Sequence, residues 1–367
     1  MAEALELAAQ GRFRVEPNPT VGAIVLDARG EIVGRGWHSG FGDAHAEIEA
    51  LSEAKRRARG GTLIVTLEPC AHTEKKTPPC VPAVIKAGVA RVVAGCADPN
   101  PATTGRAAAA FAEAGIEYHV GVLRDRCRAA LRRYERHLGA DRPWVVSKWA
   151  TSLDGRIADA AGASRWISNM GSRAFVAMLR GCADAIVVGR ETVVRDDPSL
   201  RIVPDGATRT SPDRGGGPLR VVFDSLLRTP TTVKVVATAR WVPTLFIAVR
   251  GADASRREAL EASGAQVAEV AAGADGRVSV VEAFRELHRR GARRVMLEAG
   301  GALQAACMRA GVVDHVAAFV APVVIGGAGP TPFEGDGWPI AAARRLEDVR
   351  VSPIVGDALI EGYWPLT

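Results

Sequence analysis

A chain of 367 residues is long enough for two ordinary domains, and its 47% hydrophobic and 24% charged residues strike the balance of a soluble globular protein, which excludes a disordered one. The net charge of +6 comes from arginines spread along the chain. The densest basic stretches, 55–59 and 124–136, read as solvated helix faces, so the charge suits an anionic small substrate or cofactor as well as a nucleic acid.

Residues 1–10 have neither a basic start nor a long apolar run, which predicts no secretory signal, no membrane span and a cytoplasmic protein. The Ala/Leu/Glu content of 2–10 predicts a helix, and Pro17-Asn18-Pro19 then forces an extended or turning loop. A β-branched run at 21–26, a turn at 27–30 and a second strand at 32–36 make a hairpin. Residues 45–58, rich in Ala, Glu and Leu, predict a helix that Gly60-Gly61 stops before a strand at 62–67. His45 and Glu47 then stand in the first turn of a helix and Cys70 at a strand end. Cys80 falls just before a second helix at 81–87, where unpaired N–H groups favour thiolates. These are strand-to-helix junctions, where open α/β sheets place their chemistry. A strand at 89–94, a helix at 105–114, a strand at 116–120 and a long basic helix at 125–138 follow. Residues 139–143 break the pattern, and a strand at 144–148 opens a second domain.

His45, Cys70, Cys80 and Glu47 suffice for a zinc hydrolase. One imidazole and two thiolates hold Zn²⁺ tetrahedrally and leave the fourth position to water, whose pKa falls from about 15.7 to about 7. Glu47, not itself a ligand, would take the proton of that water and pass it to a leaving ammonia, the logic of the zinc deaminases. Their signature ends in two cysteines two residues apart, whereas nine residues separate Cys70 from Cys80. A histidine at a helix start is often a surface cap and distant cysteines are often buried thiols. It is the order His-x-Glu, Glu-Pro-Cys, Pro-Cys that points to a metal. Without disulfide-framework spacing, Cys96, Cys127, Cys182 and Cys307 read as buried free thiols.

These residues resemble a family. Pro17-Asn18-Pro19-Thr20-Val21-Gly22, His38, His45-Ala46-Glu47, Thr66-Leu67-Glu68-Pro69-Cys70-Ala71-His72, Thr77-Pro78-Pro79-Cys80 and Asp98-Pro99-Asn100-Pro101 are similar to the deaminase half of the bifunctional riboflavin-biosynthesis deaminase-reductases. The resemblance implies a cytidine-deaminase-like α/β/α zinc domain over 1–142, with His45, Cys70 and Cys80 as zinc ligands and Glu47 as proton carrier. It implies that Asn18, His72, Asp98 and Asn100 line a pyrimidine and ribose-phosphate pocket. The chain departs from the family at Glu74-Lys75-Lys76, one residue longer than usual, and at Ala44 and Ala23, which replace a common proline and cysteine.

Strand–helix alternation resumes after the break. Strands are predicted at 185–189, 219–224, 244–249, 294–298 and 314–322, and helices at 172–180, 255–262, 280–290 and 303–310, which argues a largely parallel sheet with helical covers. The Gly/Pro/Arg/Thr-rich stretch 205–218 reads as a mobile loop. No Gly-x-Gly-x-x-Gly follows any strand, but Glu298-Ala299-Gly300-Gly301 carries a strand into a helix with bare backbone that can approach a phosphate.

Lys148-Trp149-Ala150-Thr151-Ser152-Leu153-Asp154-Gly155-Arg156, Ser164-Arg165-Trp166-Ile167-Ser168, Leu179-Arg180, Gly189-Arg190-Glu191-Thr192-Val193, Asp196-Asp197-Pro198-Ser199-Leu200, Asp224-Ser225 and Glu298-Ala299-Gly300-Gly301 resemble the reductase half of the same family. That resemblance implies an α/β domain of the dihydrofolate-reductase type over 143–367. Ala150, Trp166, Thr192, Asp196, Ser225, Gly300 and Gly301 would hold NADPH. Ser164, Arg180, Leu200 and Glu298 would hold substrate, with Lys148 and Asp197 at the chemistry. Arg201 stands two places earlier than the family's arginine.

The whole chain is therefore expected to be a bifunctional enzyme that uses Zn²⁺ and NADPH on a pyrimidine ribosylamino phosphate, with no nucleic-acid or membrane partner, as an assembly of identical chains. Two alternatives remain at this point: a tRNA-type base deaminase, and a reductase carrying a degenerate deaminase scaffold.

Overall fold

The computed structural model describes residues 1–12, 14–71, 78–200, 202 and 217–365, and the chain divides into two compact units, Met1–Ala140 and Asp141–Thr367. In the first unit, α1 (Ala2–Ala9) precedes a hairpin of β1 (Gly22–Leu26) and β2 (Ile32–Trp37). Then come α2 (Ala46–Ala54), a 3-10 turn at Lys55–Ala58, β3 (Thr62–Leu67), α3 (Cys80–Ala87) and β4 (Arg91–Cys96), followed by α4 (Arg106–Glu113), β5 (Glu117–Val120) and α5 (Arg124–His137). The strands form one sheet in the order β2-β1-β3-β4-β5. β1 is antiparallel to both neighbours, and β3, β4 and β5 run parallel. Element ends lie within two residues of the sequence expectation except at α2, which stops short of 58 because Lys55 takes φ 51° and the chain tightens.

Small residues let α2 lie directly on β2. Ala46, Ala50 and Ala54, four apart and therefore on one helix face, are fully buried. Opposite them, a Cβ on Gly34 would stand 2.1 Å from the Ala50 carbonyl oxygen, and one on Gly36 would stand 2.3 Å from that of Ala46. No side chain fits between these backbones. The sheet core behind them is aliphatic, with Ala23, Val25, Leu63, Val65, Val92 and Ala94 buried.

In the second unit, β6 (Trp144–Thr151), α6 (Met170–Cys182), β7 (Ala185–Gly189), α7 (Arg190–Asp196), β8 (Leu219–Phe223), α8 (Lys234–Ala237) and β9 (Thr244–Val249) are followed by α9 (Ala254–Ala262) and β10 (Gln266–Val270). α10 (Val280–Arg289), β11 (Arg294–Leu297), α11 (Gly301–Arg309), β12 (His315–Val320), β13 (Glu347–Ile354) and β14 (Asp357–Tyr363) complete it. The nine strands run β10-β9-β8-β7-β11-β6-β12-β14-β13; the first seven are parallel, and β14 is antiparallel to both of its neighbours, β12 and β13. Strands such as Ala185–Gly189 and Thr244–Val249 read as apolar runs because helices cover both faces. Sequence reasoning missed α7, α8, β10 and the β13–β14 hairpin; of the expected loop at 205–218, residues 205–216 lie outside the described residues. Among the described residues no helix is long and apolar enough to cross a membrane.

The glycine–alanine contact predicts that Gly36→Val forces α2 off β2 and costs about 2 kcal/mol or more of stability, with loss of bound zinc, because an inserted side chain here meets backbone rather than a yielding neighbour. Urea unfolding and metal analysis of the variant check it; wild-type stability with full metal would refute it.

Candidate functional sites

In the first unit three chain segments meet at His45. It is the N-cap of α2, in extended backbone (φ −76°, ψ 158°), while Cys70 follows β3 and Cys80 opens α3. Cys80 Sγ lies 3.3 Å and Cys70 Sγ 3.6 Å from His45 Nδ1, and the three ligand atoms all fall within 4.8 Å of one another. Tetrahedral zinc, with Zn–N near 2.0 Å and Zn–S near 2.3 Å, requires N···S separations of about 3.6 Å. The donor set fits that ion. The Cys80 N–H, at the start of α3, also donates to Cys70 Sγ at 3.3 Å, which favours the thiolate.

Glu47, only 3% exposed, stands one residue inside α2 and hydrogen-bonds the Cys80 side chain. Burial pushes its carboxyl above the usual range, against the opposing pull of His45. A cavity of about 290 Å³ opens here, lined by His45, Glu47 and Cys70 together with Asn18, Asp98, Asn100 and Tyr134. Three of the four substrate residues expected from the sequence thus share one cavity with the metal ligands; His72 lies outside the described residues, as do 73–77.

Two further residues hold this lining. His38 Nδ1 is 3.0 Å from the Ala44 carbonyl oxygen, so Nδ1 carries the proton and Nε2 accepts from Asn18 Nδ2 at 3.4 Å. Glu68, just before Cys70, accepts the Asp98 N–H at 3.2 Å on one oxygen and the Ala107 N–H at 3.4 Å on the other. It ties the end of β3 to the loop that carries Asp98. Sequence reasoning gave neither a role, nor Tyr134. A charged residue ending a buried β-branched strand was the available signal for Glu68.

In the second unit, β6 and β11 run side by side with Leu297 opposite Ser147, which sets Lys148, inside β6, beside Glu298, the residue that follows β11. Arg180 on α6 clasps Glu298 with two hydrogen bonds, Nε at 2.5 Å and Nη2 at 2.8 Å. Burial pulls the Lys148 amine down and the adjacent Arg180 charge adds to this, while Glu298 opposes both. Burial would raise the Glu298 carboxyl, but Arg180 and then Lys148 outweigh it and hold it below the usual range. Because the Nε–Nη2 edge of Arg180 is already committed to Glu298, a substrate phosphate would have to meet the guanidinium elsewhere.

A cavity of about 540 Å³ lies over this sheet, and Ser164, Thr192, Asp196, Ser225, Gly300 and Gly301 all line it. Gly301, the first residue of α11, could not carry a Cβ, which would stand 2.6 Å from the Thr331 carbonyl oxygen; one on Gly300 would face Thr192 Oγ1 at 3.6 Å. Bare backbone at the start of this helix suits the diphosphate of a dinucleotide. The Ser164 hydroxyl donates to Asp196 at 3.2 Å. The remaining residues lie apart from this cavity's lining. Ala150 pairs with Phe319 on β12, and Trp166 is 70% exposed against the Arg173 guanidinium at 4.5 Å. Asp197 accepts the Lys234 N–H at 2.7 Å, and Leu200 is buried. Arg201 lies outside the described residues.

Two family models match the chain in succession: the cytidine and deoxycytidylate deaminase zinc-binding region over residues 1–96, and the RibD C-terminal domain over 143–360. The chain is 36% identical to the riboflavin biosynthesis protein RibD of Aquifex aeolicus, over 89% of this chain and 87% of that one. It is 36% identical to that of Synechocystis, over 99% and 95%. The chain belongs to the RibD family. Among solved structures, form 1 of Acinetobacter baumannii RibD aligns with a TM-score of 0.77 at 30% identity, covering 100% of this chain and 98% of that one. The Thermotoga maritima diaminohydroxyphosphoribosylaminopyrimidine deaminase/5-amino-6-(5-phosphoribosylamino)uracil reductase aligns with a TM-score of 0.72 at 30% identity, covering 100% and 97%. As a RibD-family protein the chain is a bifunctional enzyme of riboflavin biosynthesis, with a zinc deaminase domain and an NADPH-dependent reductase domain of the dihydrofolate-reductase type.

The Arg180–Glu298 pair carries a pH signature. A depressed carboxyl contributes stability that is fully present above the unfolded pKa of about 4.3 and is lost as pH falls through the lower folded value. Glu298→Gln leaves Arg180 facing a neutral partner and is expected to cost about 3 kcal/mol at pH 7. The gap between wild type and variant should close as pH drops below about 4. Urea unfolding at both pH values measures it, and a gap of the same size at each would refute the assignment.

Proposed function

We propose that the first site hydrolyses the ring amino group of a diaminopyrimidinone ribosylamino phosphate, and that the second reduces the ring-opened ribosyl group of the product to a ribityl chain. The observation that carries this reading is the convergence of His45, Cys70 and Cys80 within 4.8 Å, with Glu47 in the same cavity. His45, Cys70 and Cys80 would hold the zinc ion, which when bound lowers the pKa of a water to about 7 and so makes a nucleophile available at neutral pH. Glu47 takes a proton from the attacking water on its carboxylate and returns it to the departing nitrogen, so that ammonia leaves neutral. Its buried position keeps that proton from bulk solvent. Asn18, oriented by His38, and the Asp98–Asn100 loop, anchored by Glu68, would hold the heterocycle and its ribose.

In the second site NADPH supplies the hydride, and the protein supplies position and charge. Gly300, Gly301, Thr192, Asp196 and Ser225 would hold the cofactor. Lys148, the cation beside Glu298, would stand ready to donate a proton to the oxygen that gains charge as the sugar carbon is reduced, while Arg180 and Glu298 fix its surroundings. Ser164 and Leu200 would bound the substrate. Ala150, Trp166 and Asp197 would act from the edge of this site, and His72 from the edge of the first. The two halves would work in the cytoplasm on a small molecule, without a nucleic-acid partner.

Product mass tests the reading. Incubation without NADPH should give a deaminated product, and with NADPH a deaminated and reduced one; Glu47→Gln should keep zinc and reduction of pre-deaminated substrate while losing deamination by about three orders of magnitude. Unchanged substrate with wild-type enzyme would refute the first site, and undiminished ammonia release by the variant would remove Glu47 from the chemistry.

We infer also that identical chains assemble. β13 is the outer strand of its sheet, and it exposes Val349 and Val351 along an unshared edge, a surface that proteins usually cover. Sedimentation of the purified chain at micromolar concentration should report a dimer or larger species; a monomer would refute it.

A further inference from the structure

We propose that Asp154 is a positioning residue of the reductase: its carboxylate fastens the turn after β6 to the segment after β12, and so holds in place the cavity wall that carries Ile157, Ala158 and Ser164. The proposal rests on the reading of the cavity over the second sheet as the NADPH site. Asp154 itself is exposed and stands outside the lining.

β6 and β12 pair as far as Thr151 and Val320, and the Ala321 N–H then donates to the Thr151 carbonyl oxygen at 2.8 Å. Beyond that point the ladder ends, and both segments run on irregularly to the cavity. One supplies Ile157, Ala158 and Ser164 to its lining, the other Pro330, Glu334 and Gly335. Backbone that has left a ladder still needs partners for its polar groups, and these two segments supply them to each other. The Leu153 N–H donates to the Val323 carbonyl oxygen at 2.7 Å, the Ile157 N–H to that of Pro330 at 2.9 Å, and Arg156 Nη1 to that of Gly329 at 2.8 Å. At Gly329 the two meet backbone to backbone, since a Cβ there would stand 2.2 Å from the Ala158 carbonyl oxygen.

Asp154 ties the same two segments through its side chain. Its Oδ1 accepts the Ile325 N–H at 3.0 Å and its Oδ2 the Gly326 N–H at 2.8 Å. Two successive N–H groups thus converge on one carboxylate, a charge-assisted pair that needs both oxygens as acceptors. The Ile325 N–H, then the Ser152 side chain and the Gly326 N–H, hold this carboxyl down at about 2, so it is ionised wherever the enzyme works. A residue that only capped the turn at 325–326 would need nothing more. Asp154, however, stands between the ties of Leu153 and Arg156 and three residues before Ile157, so the same carboxylate sets where the cavity wall begins. A cofactor whose wall is in place only part of the time binds more weakly by that fraction.

The test is Asp154→Asn in the full chain, which keeps one acceptor and turns an NH₂ against the other N–H. In the cofactor-free protein, hydrogen exchange at Ile157 as well as at Ile325 and Gly326 should quicken about tenfold, and the dissociation constant of NADP⁺ measured by calorimetry should rise about tenfold. At saturating NADPH kcat should stay within about twofold, because bound cofactor restores the wall, and zinc content and deamination should not change. Arg156→Met, which removes a separate tie of the same pair of segments, should shift exchange and NADP⁺ affinity in the same direction by less, and carries the test if the first variant does not fold. Faster exchange confined to 325–326 with unchanged NADP⁺ affinity would make Asp154 a turn cap and overturn the proposal. So would a tenfold fall in kcat at unchanged affinity. In wild type, NADP⁺ that binds without slowing exchange at Ile157 and Gly301 would fail the reading of this cavity as the cofactor site, which separates the two failures.

Discussion

The backbone of α2 lies against the backbone of β2 with only hydrogen atoms between, and the metal site depends on that contact. His45 and Glu47 both belong to the first turn of α2, so any change in its distance from the sheet moves a ligand and the proton carrier together. Cys70 and Cys80 form the other half. The Cys80 N–H donates to the Cys70 carbonyl oxygen at 3.0 Å as well as to its sulfur, so the two thiols move as one piece. Four functional groups are thereby reduced to two rigid parts, and one glycine–alanine interface sets the distance between them.

This arrangement explains which features could be read from the residue order. Apolar runs such as Thr62–Leu67 and Thr244–Val249 are strands because their side chains are buried on both or alternate faces, and that signal is local. His-x-Glu and the two cysteines announce their chemistry because few other uses need those groups at strand-to-helix junctions. The β13–β14 hairpin was illegible for the opposite reason. Glu347–Ile354 is a polar, exposed edge strand containing a proline, and only its partner Asp357–Tyr363 makes it a strand. α7, with seven residues, and α8, with four, are too short to show a helical period.

Roles that depend on direction were hidden altogether. His38 is one histidine among seven in the sequence, and only the 3.0 Å approach of its Nδ1 to a carbonyl shows that the other nitrogen is an acceptor for Asn18. Tyr134 sits in the basic run 124–136, where composition suggests a solvated face, and only the fold brings it into the cavity lining beside Asp98 and Asn100. Residue identity marks what a group can do, whereas its orientation comes from partners distant in the chain.

The two sites solve opposite electrostatic problems. In the first, two thiols and a carboxylate crowd one histidine, an excess of potential negative charge that a divalent cation offsets, and burial of Glu47 raises the energy of its ionised form. In the second, Lys148 and Arg180 share a single carboxylate, so the cluster keeps a net positive charge in a setting that already pulls the lysine toward its neutral form. A lysine eased toward neutrality by burial gives up its proton more readily than one in water. Glu298 keeps that effect in check, because it favours the charged amine while remaining clasped by Arg180. Removing the arginine would therefore leave Glu298 freer to hold the proton on Lys148 against the pull of burial, so burial and the clasp together set the acidity of this lysine.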